Sequence, residues 1–269
     1  MLPARACDVV SAGVALACQE AGTGELVVLL HGLGSRGADW EQQQRALSGA
    51  YRVLTPDLRG HGESPHPPGS WSMADFARDV AVLLRQRSTE PVHLVGLSLG
   101  GMVAFQLLAD HPDLVRSAVI VNSGPAFPGR TLLGRLLIWS RLLLVRWKGL
   151  PALGDTIARR LFPKPDQHEM RRRFMAGFVR NDPGSYARTL KAIQRFDVAG
   201  ASRRIRVPVL AISGDRDYTP VDAKAAWVRD IPGGRLQVIP DSGHATPVDQ
   251  PDALNAALLQ FLASTRTST

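Results

Sequence analysis

The sequence predicts an α/β fold, a mostly parallel central sheet covered by helices on both faces, with a helical unit inserted near its middle. Three observations predict it. Short aliphatic and β-branched runs alternate with helix-length segments, as in repeated strand-helix-strand units. The apolar runs are continuous, as strands buried on both faces must be. The rhythm stops after Val121 and resumes at Val207.

In chain order, Leu26 to Leu30, Tyr51 to Thr55, Val92 to Val95 and Ser117 to Val121 are the strands of the first half. Helices near Asp39 to Leu47, Ser72 to Arg87 and Leu99 to Asp110 lie between them, each long enough for a parallel crossover. No strand pattern follows Asn122-Ser123-Gly124-Pro125 until Val207 to Ile212. A helix near Pro220 to Arg229, a strand Leu236 to Ile239 and a final helix from about Val248 to Ala263 complete the chain. Residues 1–124 and 201–269 are thus expected to form the two parts of one core, and 125–200 an inserted helical cap. Breakers at Gly149, Pro151, Pro163, Pro165 and Pro183-Gly184 mark helix ends within it. Residues 264–269 are expected to fray. Cys7 and Cys18 flank a predicted hairpin turning at Ala12-Gly13 and are expected as thiols, not as a disulfide framework.

Charge is strongly local. Pro125 to Asp197 holds 15 Arg and Lys against 5 Asp and Glu, a local +10 in a chain of net +8. Without interleaved aromatics or a binding motif this does not predict nucleic-acid binding. Three readings of the basic segment stand: a solvated face, an arginine pairing with an acidic group on a small-molecule substrate, or docking on an anionic membrane or polymer. The Leu-rich stretch Thr131 to Trp147 is interrupted by Arg135, Arg141 and Arg146, well short of a membrane span, so no integral membrane association is expected. The first twenty residues lack the uninterrupted apolar core of a signal peptide, which makes the cytoplasm the default expectation. The chain is expected as a monomer or homodimer.

The chemistry centres on Gly96-Leu97-Ser98-Leu99-Gly100-Gly101. A serine hydroxyl is a poor nucleophile unless a base takes its proton and its oxygen is exposed to the substrate. Gly-x-Ser-x-Gly between a strand and a helix provides the exposure, because the sharp turn tolerates only tiny residues two positions either side. The free N–H of Leu99 at the helix start faces developing oxyanion charge. A turn that merely capped a helix would leave Gly100-Gly101 costing roughly 1 kcal/mol each against Ala with no gain. Among seven histidines, His244 in Asp241-Ser242-Gly243-His244 follows the last strand at the sheet edge where Ser98 lies. His31 and His61, each preceding a glycine, are expected to hold backbone. The orienting carboxylate should follow Val207 to Ile212, where Asp215 and Asp217 compete.

His31-Gly32, Asp57-Leu58-Arg59-Gly60-His61-Gly62-Glu63-Ser64, Gly96 to Gly101, Gly214-x-x-Asp217 and Gly243-His244 stand in an order that resembles the α/β-hydrolase superfamily over nearly the whole chain. The resemblance implies a Ser98, Asp217, His244 triad with Asp217 preferred to Asp215, and a second oxyanion N–H from Leu33. It also implies an inserted cap that sets the substrate, and no metal or organic cofactor. Some members take the acid one strand earlier, where this chain has Asn122, which cannot hold a negative charge. The core is similar to small esterases, enol-lactonases and carbon-carbon bond hydrolases, which share these motifs. Cleavage of a carboxylic ester is the expected activity, with a lactone or carbon-carbon bond as alternatives. A non-catalytic ligand-binding relative also stands open. So does a nicotinamide enzyme, since Gly32-Leu33-Gly34-Ser35-Arg36-Gly37 spells a dinucleotide fingerprint with Asp57 about 20 residues on. The helix after it, expected to start near Asp39, begins too late to receive a pyrophosphate.

Overall fold

The computed structural model describes residues 14–127 and 132–265; Cys7, the turn at Ala12-Gly13 and residues 266–269 lie outside them. Strands β1 (Cys18–Ala21), β2 (Leu26–Leu30), β3 (Arg52–Pro56), β4 (Val92–Leu97), β5 (Val115–Val121), β6 (Val209–Gly214) and β7 (Arg235–Ile239) form one sheet. Its order is β1-β3-β2-β4-β5-β6-β7, and every pairing is parallel except that of β1 with β3. Because successive strand residues face opposite sides, the apolar runs feed two cores. Val27, Leu29, Val53, Val95 and Val119 pack on α1 (Glu41–Leu47) and the last helix, and Val28, Leu30, Leu54, Leu94 and Ile120 pack on α2 (Met73–Arg87) and α3 (Leu99–Asp110). Ser72 caps α2 by accepting the Asp75 N–H while the Asp75 carboxylate takes the Ser72 N–H.

Between β5 and β6 the chain leaves the sheet for α4 (Leu132–Leu161), α5 (His168–Phe178), α6 (Pro183–Arg195) and a 3-10 segment, Ala199–Arg204. Gly149 kinks α4 with φ 75°, and Pro151 opens its second half. These helices share a core of Ile138, Val145, Leu150, Leu153, Phe178, Tyr186 and Leu190. Three polar contacts pin them to the rest: Asn181 donates to the Gly34 carbonyl at 2.9 Å, Ser185 meets His66 at 2.8 Å, and Lys164 pairs with Asp241. After β6 come α7 (Val221–Val228), α8 (Thr246–Asp249) and α9 (Pro251–Ala263).

The structure departs from expectation at two element ends. The predicted final helix is two, because Pro251 lacks an N–H and starts a new helix after Gln250. A 3-10 turn over Gly37–Trp40 precedes α1, so the α-helix starts at Glu41 and not near Asp39. Cys18 is the first residue of a sheet-edge strand, opposite Pro56 of β3.

Candidate active site

Ser98 occupies the turn between β4 and α3 with φ 52° and ψ −110°, a conformation costly for any residue with a side chain. Backbone packing enforces it. A Cβ on Gly96 would stand 2.4 Å from the Gly100 carbonyl oxygen, and one on Gly100 would stand 2.0 Å from that of Leu30. Ser98 N–H donates to Val121 O at 3.0 Å, and the Ser123 hydroxyl donates to Ser98 O at 2.6 Å. Strand order reverses between β2 and β4, and Ser98 lies at that switch, outside the carboxyl ends of the strands. The loop after β2 flanks it closely: a Cβ on Gly32 would be 3.7 Å from that of Ser98. Neither the Leu33 nor the Leu99 N–H has an acceptor among the described residues, and Leu99 is the first residue of α3, where no intrahelical acceptor exists.

His244 Nδ1 lies 2.8 Å from Asp217 Oδ1. With Nδ1 donating to the carboxylate, Nε2 is left as the basic nitrogen. The Asp217 side chain is wholly buried, and its other oxygen accepts from Lys224 Nζ at 2.6 Å and from the Thr219 hydroxyl. Burial alone pushes this carboxyl up, but His244, Lys224 and Thr219 together outweigh it and hold it down at about 2. Burial pulls the Lys224 ammonium down against the opposing pull of Asp217. Asp215, the competitor, turns away and accepts the Ser242 N–H at 3.0 Å.

Two residues that organise the site escaped the sequence reasoning. Asn122 donates through Nδ2 to Gly243 O (3.1 Å), His244 O (3.0 Å) and Thr246 Oγ1 (2.8 Å), and its Oδ1 accepts the Gly214 N–H at 2.9 Å. It thereby ties the end of the Asp217 strand to the His244 loop, which also touch through backbone: a Cβ on Gly214 would lie 2.4 Å from Ser242 O. The signal in the sequence was an amide directly after an uninterrupted apolar strand. Lys224 is the second, and no pattern around it marks a lysine turned inward.

The Tyr218 ring stacks on His244 with centroids 4.1 Å apart, its hydroxyl reaches the Ser98 side chain, and the Arg160 guanidinium stands 4.7 Å from its ring centre. Ser98 and His244 open into a cleft of about 1710 Å³, above the roughly 300–1,000 Å³ of a usual small-ligand site. Ile138, Leu144, Ile157, Phe174 and Phe178 of the inserted helices line it together with Ser98, with Arg141 and Arg160 among them. His31 and His61 hold backbone as expected. His31 accepts the Leu58 N–H at 2.9 Å and donates to Gly32 O at 2.8 Å, while His61 donates to Arg59 O at 3.0 Å.

The glycine-loop fingerprint has a different use. Asp57 accepts the N–H groups of Gly37 and Glu63, at 2.7 and 2.9 Å, so both its oxygens are spent joining two loops. A Cβ on Gly37 would stand 2.3 Å from Thr55 O, so this glycine serves close packing of the loop on β3.

Residues 25–251 match the family model described as alpha/beta hydrolase fold. The proposed carbamate hydrolase RutD of Yersinia enterocolitica is 30% identical over 255 residues, covering 91% of this chain and 89% of that protein. Among solved structures, a thermophilic esterase from Thermogutta terrifontis superposes with a TM-score of 0.87 at 28% identity, over 94% of this chain and 95% of that one. The enol-lactonase from Burkholderia xenovorans gives 0.86 at 26% identity, over 93% and 97%. With the sheet order, the strained serine turn and a family match over most of its length, this chain belongs to the α/β hydrolase fold family.

Proposed function

We propose that the chain is a serine hydrolase that cleaves a carboxylic ester of a small to medium substrate through an acyl-enzyme. Ser98 is the nucleophile, His244 the base and Asp217 the acid that orients it, with the helices of 125–200 as the cap. The observation that carries this reading is the 2.8 Å contact of His244 Nδ1 with a fully buried, ionised Asp217, at the edge of a cleft that also holds Ser98 in its exposed turn.

His244 Nε2 takes the Ser98 proton as Oγ bonds to the substrate carbonyl carbon, and the N–H groups of Leu33 and Leu99 hold the resulting oxyanion. Collapse breaks the bond to the leaving oxygen, which receives the proton from His244. A water, deprotonated by His244, then attacks the acyl-enzyme and releases the acid while Ser98 recovers its proton. Asp217 stabilises the imidazolium in both halves. No step calls for a cofactor. A lactone fits the same sequence of events, with the leaving oxygen still tethered to the acyl group, and the enol-lactonase among the structural neighbours favours that second reading. The Arg141 and Arg160 side chains on the cleft support an acidic substituent on the substrate.

A panel of short p-nitrophenyl esters and simple lactones tests the proposal. Turnover should fall at least about 10³-fold in Ser98→Ala, and Asp217→Asn should lose a similar factor through the wrong imidazole tautomer. A serine-reactive phosphonate should label Ser98 alone. Wild-type turnover retained in folded Ser98→Ala refutes the assignment.

A further inference from the structure

The first half of α4 carries an apolar face that stands largely exposed among the described residues. Leu136, Trp139, Leu143 and Trp147 are 57, 61, 53 and 82% exposed. Their spacing of three, four and four residues sets them in one stripe along the helix, roughly 17 Å long at about 1.5 Å per residue. The opposite face is occupied: Ile138 and Val145 are buried, and Ile138, Arg141 and Leu144 border the cleft. None of the four stripe residues lines that cleft. The stripe is therefore neither core nor substrate site, and an apolar face with two tryptophans is costly to leave in water.

Charge identifies what covers it. From Pro125 to Gly154 the sequence has no Asp or Glu, while it has Arg135, Arg141, Arg146 and Lys148 along this helix. By helical position Arg146 falls beside the stripe, Lys148 directly follows Trp147, and both are exposed. We infer that this face docks on an anionic lipid surface, with the helix lying in the plane of the interface. Trp and Leu side chains enter the boundary between headgroups and acyl chains, and the long Arg146 and Lys148 side chains extend to lipid phosphates. The helix lies on the bilayer, since no helix among the described residues is long and apolar enough to cross it. A second copy of the chain is a poorer occupant, because a two-fold contact through the stripe would bring together two basic half-helices that carry no acidic residue to pair them. This docking does not depend on the hydrolase reading.

Sedimentation of the full chain with vesicles tests it, using phosphatidylcholine alone and phosphatidylcholine mixed with phosphatidylglycerol. The protein should pellet with the mixed vesicles, show a blue shift in tryptophan emission, and release at high salt. Binding should fall roughly tenfold or more in Trp139→Ser/Trp147→Ser and in Arg146→Glu. Both variants should keep the wild-type circular dichroism spectrum and wild-type hydrolysis of a soluble ester, which shows them folded. Failure to bind mixed vesicles, equal binding to both vesicle types, or binding untouched by the variants overturns the inference. So does a dimer, seen by light scattering, that the tryptophan variant dissociates, which would assign the face to a second copy.

Discussion

Asp217 holds a negative charge with its whole side chain out of water, where an isolated carboxylate would take up a proton instead. Its ionisation rests on three partners, of which His244 is occupied in orienting its own ring and the Lys224 ammonium stands at 2.6 Å. Lys224→Met should leave the carboxylate under-compensated. The expected loss is about 3 kcal/mol of stability in denaturant unfolding, together with a lower kcat at little change in KM. Unchanged kcat in the folded variant would show that Lys224 serves stability alone. The candidate site is legible in the sequence where chemistry and local geometry coincide, in Ser98 between two glycines and His244 on a loop just past a strand, whereas the choice of Asp217 over Asp215 came from the family pattern. Lys224 is illegible for a physical reason. Helix α7 does not segregate its apolar residues to one face, so nothing in its pattern tells an inward lysine from an outward one.

At the scale of elements, the Ser98 turn holds its shape only because α3 lies directly against β2 and β4. Gly100 is the contact point, and the atoms its Cβ would meet are the Leu30 carbonyl at 2.0 and 2.4 Å, main chain that cannot swing aside. Gly100→Ala should therefore push α3 off the sheet, moving the Leu99 N–H, at a cost of about 3 kcal/mol or more. Gly49→Ala, where an added Cβ meets nothing within 4 Å, should stay within about 0.5 kcal/mol. Thermal unfolding of the pair measures the contrast, and equal effects would remove close packing as the reason for the glycine. The same contrast between buried and exposed explains which elements the sequence reveals. β2 and β4 stand out as apolar runs because both their faces are covered, whereas β1 is a four-residue edge strand, mostly half-buried, with no such run. The break between α8 and α9 was written in Pro251, but α8 is a single turn of four residues, too short to show a pattern of its own.

For the whole molecule, the fold's response to acid follows from two histidines fixed between the loops around the cleft. Burial lowers His31 to about 4, and burial with repulsion from His31 lowers His61 to about 3, the two rings lying 5.1 Å apart. Both are neutral in the folded chain at pH values where the unfolded chain, with histidines near 6.5, already binds the proton. The unfolded state then holds more protons, so stability must fall as pH falls through 6.5 and continue falling to about 4. Asp217 acts lower, its contribution being present above the unfolded carboxyl value of about 3.9 and lost as pH falls toward 2. The loss between about pH 6.5 and pH 4 therefore belongs chiefly to the histidines and should amount to several kcal/mol. Urea unfolding at intervals across that range should show a falling midpoint. His61→Gln, which removes one titrating ring, should flatten the slope by about half even where it lowers stability at neutral pH. A wild-type midpoint that stays level down to about pH 4.5 would mean that both rings accept protons without opening the loops they hold.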